Sequence, residues 1–226
     1  MGSPFRWVIG GYGAILSLRN AAVATILSLS PVWGEPVTVV ALGDSLTQGY
    51  GLAPENGFVP QLQTWLDAEG AEVVLVNAGV SGDTTAGGLS RIGWTLNGDV
   101  DALIVALGGN DLLRGIDPSL SRENLKGILD EAGSRELPVL LVGMVAPSNY
   151  GQEYKAAFDA IYPELAKAHG ALLHENFLGA LAAMNDRQMV LENHMQGDAI
   201  HPNRDGVALI VADIGPSVLD LLERVD

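Results

Sequence analysis

From residue 36 onward the chain alternates short, continuously apolar runs with longer stretches whose apolar residues recur at helical spacing. That alternation is the signature of repeated βα units. Val37–Leu42, Glu72–Asn77, Ala102–Leu107, Pro138–Met144 and Ala171–Leu173 read as five strands. Phe58–Glu69, Thr84–Leu96, Ser119–Arg135 (with Ser121 a candidate cap), Glu153–His169 and Val207–Val225 read as helices. Because the strand runs are apolar without alternation, both faces of the sheet must be covered, so a parallel sheet with helices on each side is expected. No repeat, low-complexity tract or internal linker interrupts residues 35–226, which are expected to form one domain.

Composition narrows the partners. The net charge of −15 excludes a basic nucleic-acid surface and disfavours anionic membranes. There are no cysteines, which removes disulfides, thiolate metal sites and a cysteine nucleophile together. No cluster of metal ligands or cofactor signature is visible either, so neither metal nor cofactor is expected, and a monomer is the expected state. Residues 1–34 differ from the rest: they hold Arg6 and Arg19, no acidic residue, and an apolar run from Ala21 to Leu29 ahead of small residues. This pattern fits a cleaved secretory signal with a cut after Gly34, and so a periplasmic or secreted enzyme. Arg19 breaks the apolar run below the length of a membrane span. An ordinary buried N-terminal helix and a cytoplasmic protein are the alternative.

In an open parallel sheet, ligands bind outside the carboxyl ends of the strands. Three polar or glycine-rich segments follow strand ends directly: Gly43–Thr47, Asn77–Thr85 and Gly108–Asp111. In the first, Ser45 occupies a sharp turn, where its hydroxyl would be exposed but would need a neighbouring base. Taken alone it reads first as a turn or helix-cap serine, the commoner role for a serine after Gly-Asp. The Gly-x-Ser-x-Gly elbow is absent. A base is available in Asp198-Ala199-Ile200-His201-Pro202-Asn203, where the carboxylate stands three residues before the imidazole. One turn at that spacing can bring Asp198 to Nδ1 of His201 and leave Nε2 free to accept a proton, although a surface Asp–His pair would look the same. His169, His174 and His194 lack such a partner and read as structural or solvated. Gly82 and Asn110, on the second and third strand ends, could supply the donors that a tetrahedral oxyanion needs, together with the N–H of Ser45.

Four ordered blocks carry a resemblance: Gly43-Asp44-Ser45, Gly82, Gly108-Gly109-Asn110-Asp111 and Asp198-Ala199-Ile200-His201. Together they resemble the SGNH (GDSL) hydrolase superfamily, and its thioesterase I / protease I / lysophospholipase L1 and arylesterase branch in particular. The likeness runs from about residue 37 to the C-terminus and is weakest over residues 179–193. It implies a three-layer α/β/α flavodoxin-like fold with five parallel strands. It also implies Ser45 as nucleophile and first oxyanion donor, Gly82 and Asn110 as the other donors, and Asp198 and His201 as triad partners. Pro147, Asn149 and Tyr150 resemble the substrate-side loop. The implied substrate is a small-molecule acyl ester, thioester or lysophospholipid.

Two other readings stand beside this one. A flavin-binding module uses the same sheet, but Asp44 would oppose a phosphate there and the Asp198–His201 pair would have no role. Among hydrolases the runner-up is a carbohydrate deacetylase. A binding protein that has lost its chemistry is a further option, which an intact triad disfavours.

Overall fold

The computed structural model describes residues 1–2 and 36–225, so the leader expected over residues 1–34 lies, but for its first two residues, outside the described part. Five parallel strands form one sheet in the order β2-β1-β3-β4-β5: β1 Val37–Gly43, β2 Val73–Gly79, β3 Ala102–Ala106, β4 Val139–Val142 and β5 Leu172–His174. The strand order is that of flavodoxin-like folds, and the chain reverses its direction of travel across the sheet between β1 and β3.

One face of the sheet is covered by α2 (Phe58–Ala68) and α10 (Arg204–Leu222). Leu62, Leu66, Ile210 and Ile214 pack there against Val39, Ala41 and Ile104. The other face is covered by α3 (Thr85–Thr95), α5 (Pro118–Ser134), α6 (Gln152–Asp159) and α7 (Ile161–His169). Leu125, Ile128, Phe158 and Ile161 meet Leu42, Leu103 and Val105 on that side. Each fully buried leucine or isoleucine in these layers contributes about 1.5–3 kcal/mol relative to exposure. The central strands β3 and β4 are buried at every position, as continuous apolar runs require. Strand β2 is different. It lies at the sheet edge and leaves Val74 and Val76 exposed, so its apolar run does not mark two covered faces.

The structure revises several boundaries. The helix expected over residues 153–169 breaks at Ala160 into α6 and α7. Pro163 lacks the N–H that a continuous helix would donate to the Asp159 carbonyl. Ser121 does not cap α5. That cap is Asp117, whose carboxylate accepts from the Ser119 N–H at 2.8 Å, with Pro118 at the first helical position. His174 ends β5 rather than following it, with Nδ1 3.2 Å from Ser217 Oγ. Short helices α1 (Ser45–Gln48), α4 (Gly109–Arg114), α8 (Gly179–Ala182) and α9 (Arg187–His194) fill connections that the sequence pattern leaves as turns or loops.

Candidate active site

The carboxyl ends of β1, β2 and β3 bring the three polar segments to one rim. Beyond β1 the chain makes a single helical turn, α1. It is capped by Asp44, which accepts from the Leu46 N–H at 3.0 Å, and ends at Gly49 in the left-handed conformation. Ser45 is the first residue of that turn, and its N–H makes no hydrogen bond among the described residues. The turn lies hard against β2. A Cβ on Gly79 would fall 2.3 Å from the Gln48 N, so only glycine permits this approach. Arg91, from α3, ties the two strand ends from below, donating to the carbonyls of Gly43 at 2.9 Å and Ala78 at 2.8 Å.

The imidazole arrives from the other end of the chain on a clip formed by residues 195–202. Met195 and Pro202 pair across it, the Gln196 N–H donates to the His201 carbonyl at 2.7 Å, and Ala199 takes a left-handed φ of 57° to close the bend. Asn203 then caps α10 through the N–H groups of Asp205 and Gly206. The Gln196 amide fastens the clip to the segment that follows Ser45 by donating to the Tyr50 carbonyl at 2.8 Å. Tyr50 places its ring 4.7 Å from the His201 ring.

Within this frame the three residues form one chain of hydrogen bonds. Asp198 Oδ2 accepts from His201 Nδ1 at 2.7 Å, and His201 Nε2 lies 2.8 Å from Ser45 Oγ. Asp198 Oδ1 also accepts from the N–H groups of Ile200 and His201, each at 3.0 Å. The His201 N–H, its imidazole and the Ile200 N–H together hold the Asp198 carboxyl down at about 2. An ionised aspartate on Nδ1 fixes the tautomer in which Nε2 is the acceptor for the serine proton.

Of the expected donors, Asn110 shares a groove wall with Ser45. Asn110 opens α4 beyond β3, and its Nδ2 donates to Asp44 Oδ2 at 3.3 Å. Gly82, in the loop after β2, has a φ of 81°. Its carbonyl accepts from Arg114 at 2.7 Å, and its N–H is unpaired among the described residues. Beside Ser45 runs a groove of about 270 Å³ walled largely by Leu46, Leu112, Leu113, Met144, Val145 and Ile200. Pro147, Asn149 and Tyr150 line the same groove with Ser45, Asn110 and His201, whereas Asp198, behind His201, and Gly82 are not part of its wall.

Other supporting residues carry little local signal. Asp111 is fully buried and accepts from the Thr85 N–H (2.9 Å), Thr85 Oγ1 (2.6 Å) and Ser121 Oγ (2.9 Å), which locks α3, α4 and α5 together beneath the site. Asp44 is buried too, and burial pushes its carboxyl up to about 6 against the opposing pull of the Leu46 N–H, the Asn110 amide and His201. Among the described residues no cluster of histidine and acidic side chains could hold a metal ion.

Residues 41–209 match the GDSL-like lipase/acylhydrolase family. Esterase TesA of Pseudomonas aeruginosa is 36% identical over 186 residues, covering 82% of this chain and 89% of that protein. The thioesterase 1/protease 1/lysophospholipase L1 of Escherichia coli is 36% identical over 207 residues, covering 91% of this chain and 89% of its own length. Among solved structures, the SGNH-hydrolase family esterase AlinE4 superposes with a TM-score of 0.67 at 43% identity, covering 84% of this chain and 98% of that one. With the family match extending over most of the chain and the fold and rim geometry in agreement, this protein belongs to the GDSL-like (SGNH) lipase/acylhydrolase family of ester hydrolases.

Proposed function

We propose that Ser45 carries out the ester hydrolysis of this family member through an acyl-enzyme. The observation that carries the reading is the unbroken hydrogen-bond chain from Asp198 through His201 to Ser45 Oγ. As Oγ attacks the substrate carbonyl carbon, its proton passes to His201 Nε2, and the carbonyl π electrons move onto oxygen. The resulting oxyanion is held by the N–H groups of Ser45 and Gly82 and by the Asn110 amide. When the tetrahedral species collapses, the bond to the alcohol or thiol breaks and the leaving group takes the proton from Nε2. Water then repeats the sequence on the acyl-enzyme, with His201 again as base, and releases the carboxylic acid. Asp198 stays ionised throughout and balances the imidazolium that forms twice per cycle.

The substrate is a small acyl ester or thioester whose acyl chain lies along the groove, with lysophospholipids in the same class. The relatives' names (esterase, thioesterase, lysophospholipase) support this class, as does the apolar wall. Residues 1–34 serve as a cleaved leader to the periplasm or exterior, and residues 35–226 are the hydrolase domain, which works as a monomer. The start of acidic residues at Glu35 and the compact unit Glu35–Asp226 support that division. Among the described residues no helix is long and apolar enough to cross a membrane.

The test is a series of p-nitrophenyl esters and acyl-CoA thioesters from acetyl to palmitoyl, run beside acetylated sugars. Each methylene added within the groove contributes about 0.8 kcal/mol, so kcat/KM rises by about fourfold per methylene until the wall ends. Preference for acetylated sugars, with no gain beyond the acetyl ester, contradicts the assignment of the groove to an acyl chain.

A further inference from the structure

We infer that Asp44 is the positioning residue that orients the Asn110 amide as an oxyanion donor. This inference rests on the oxyanion reading of Asn110 given above. As the cap of α1, Asp44 needs one acceptor oxygen, and Oδ1 supplies it to the Leu46 N–H at 3.0 Å. Asparagine, serine or threonine would cap that turn about as well. Asp44 instead keeps a second carboxylate oxygen in a site where the residue is only 3% exposed, and that oxygen takes the Asn110 Nδ2 at 3.3 Å. Gly109 lets the start of α4 come this close, since a Cβ there would lie 3.1 Å from Asp44 Oδ2.

The chemistry of the pair explains why a carboxylate stands here. An ionised carboxylate accepts and cannot donate, so it admits only the nitrogen end of the Asn110 amide. One of the two amide hydrogens is then bound to Asp44 and the other is left for the developing oxyanion. A neutral group that can donate as well as accept allows the amide to flip, and the flipped amide offers the oxyanion an oxygen. Ionising Asp44 in this buried position is costly, which is why its carboxyl is pushed up to about 6. The groups bearing on it are the Leu46 N–H, the Asn110 amide and His201, which favour the charged form, and Asp111, which opposes it. The raised value means that the fold holds the Asp44 proton more tightly than the unfolded chain does. The stability tied to it is therefore full below about 4 and is lost as pH rises through about 6. The fold accepts this loss at neutral pH at the very position that orients the amide.

The test is a double-mutant cycle of Asp44→Asn and Asn110→Ala, read as kcat, KM, pH profile and denaturant midpoint. Asn110→Ala lowers kcat by about 10²–10³. Asp44→Asn lowers kcat by about 10² with KM nearly unchanged, and the double variant is no worse than Asn110→Ala alone, because both changes remove the same donor. Asp44→Asn also removes one proton from the acid limb of the kcat profile. It raises the denaturant midpoint at pH 8, with the two proteins converging near pH 4, so the activity is lost in a protein that is more stable. Multiplicative losses in the double variant overturn the inference, as does wild-type kcat in Asp44→Asn. If Asn110→Ala itself keeps wild-type kcat, the oxyanion role of Asn110 falls, and the positioning role of Asp44 falls with it. If only Asp44→Asn is silent, the positioning role alone is lost.

Discussion

Ser45→Ala lowers kcat for a p-nitrophenyl ester by a factor on the order of 10⁶, the scale at which serine hydrolases lose turnover when the nucleophile is removed. The effect is this large because the acyl bond of the proposed mechanism forms on the oxygen that the change removes. Ser45 Oγ is 2.8 Å from His201 Nε2. The change deletes one partly exposed oxygen, leaving intact the Asp44 cap and the left-handed Gly49 that shape the turn. Thermal stability should therefore stay within about 0.5 kcal/mol of the parent, as for surface substitutions generally. Measuring kcat and Tm on the same preparation separates lost chemistry from lost fold. Activity within tenfold of the parent, in a preparation free of parent enzyme, refutes the assignment.

Asp198→Asn gives the second large effect, a loss of about 10²–10⁴ in kcat at neutral pH. The asparagine oxygen can keep the bonds from the Ile200 and His201 N–H groups that Asp198 Oδ1 accepts at 3.0 Å. Its NH₂ then points at Nδ1, where a carboxylate oxygen now accepts at 2.7 Å, and forces the imidazole proton onto Nε2. The base that should take the serine proton is then blocked in an otherwise native site. The pH dependence follows from the sign of the Asp198 shift. Its folded-state value, about 2, lies below the unfolded one, so its contribution to stability is complete above about 4 and fades as pH falls toward 2. The stability gap between the parent and Asp198→Asn should therefore be constant above about pH 4 and close as pH falls toward 2. Asp198 is more than a third exposed, so the difference is small.

Features set by local spacing were legible in the sequence. The strands follow from uninterrupted apolar runs. The Asp198–His201 pair follows from a three-residue separation that one bend can close. Ser45, Gly82 and Asn110 share a rim because strand ends of a parallel sheet share a rim. The four ordered blocks then matched a known pattern. What stayed hidden depends on contacts between distant segments. Asp44 and Asn110 are 66 residues apart, and Asp111 meets Thr85 across 26, so neither partnership has a local pattern to announce it. Ser121 reads as a candidate cap because it is a serine just ahead of the helical run that begins at Leu125, yet its hydroxyl serves Asp111. The break at Ala160 had a visible cause in Pro163, outweighed by the apolar periodicity on either side. Helix α9 follows an acidic cap, Asp186, within the stretch that resembled the family least.

The central claim is that Ser45 Oγ is the atom that becomes acylated, and it is tested most directly by labelling with a p-nitrophenyl alkylphosphonate followed by peptide mass mapping. The account predicts one phosphonyl group per chain, located on Ser45, with p-nitrophenol released in equal amount. It also predicts no label in Ser45→Ala and slow labelling in Asp198→Asn. A phosphonyl group on another serine, with inactivation following that label, would contradict it.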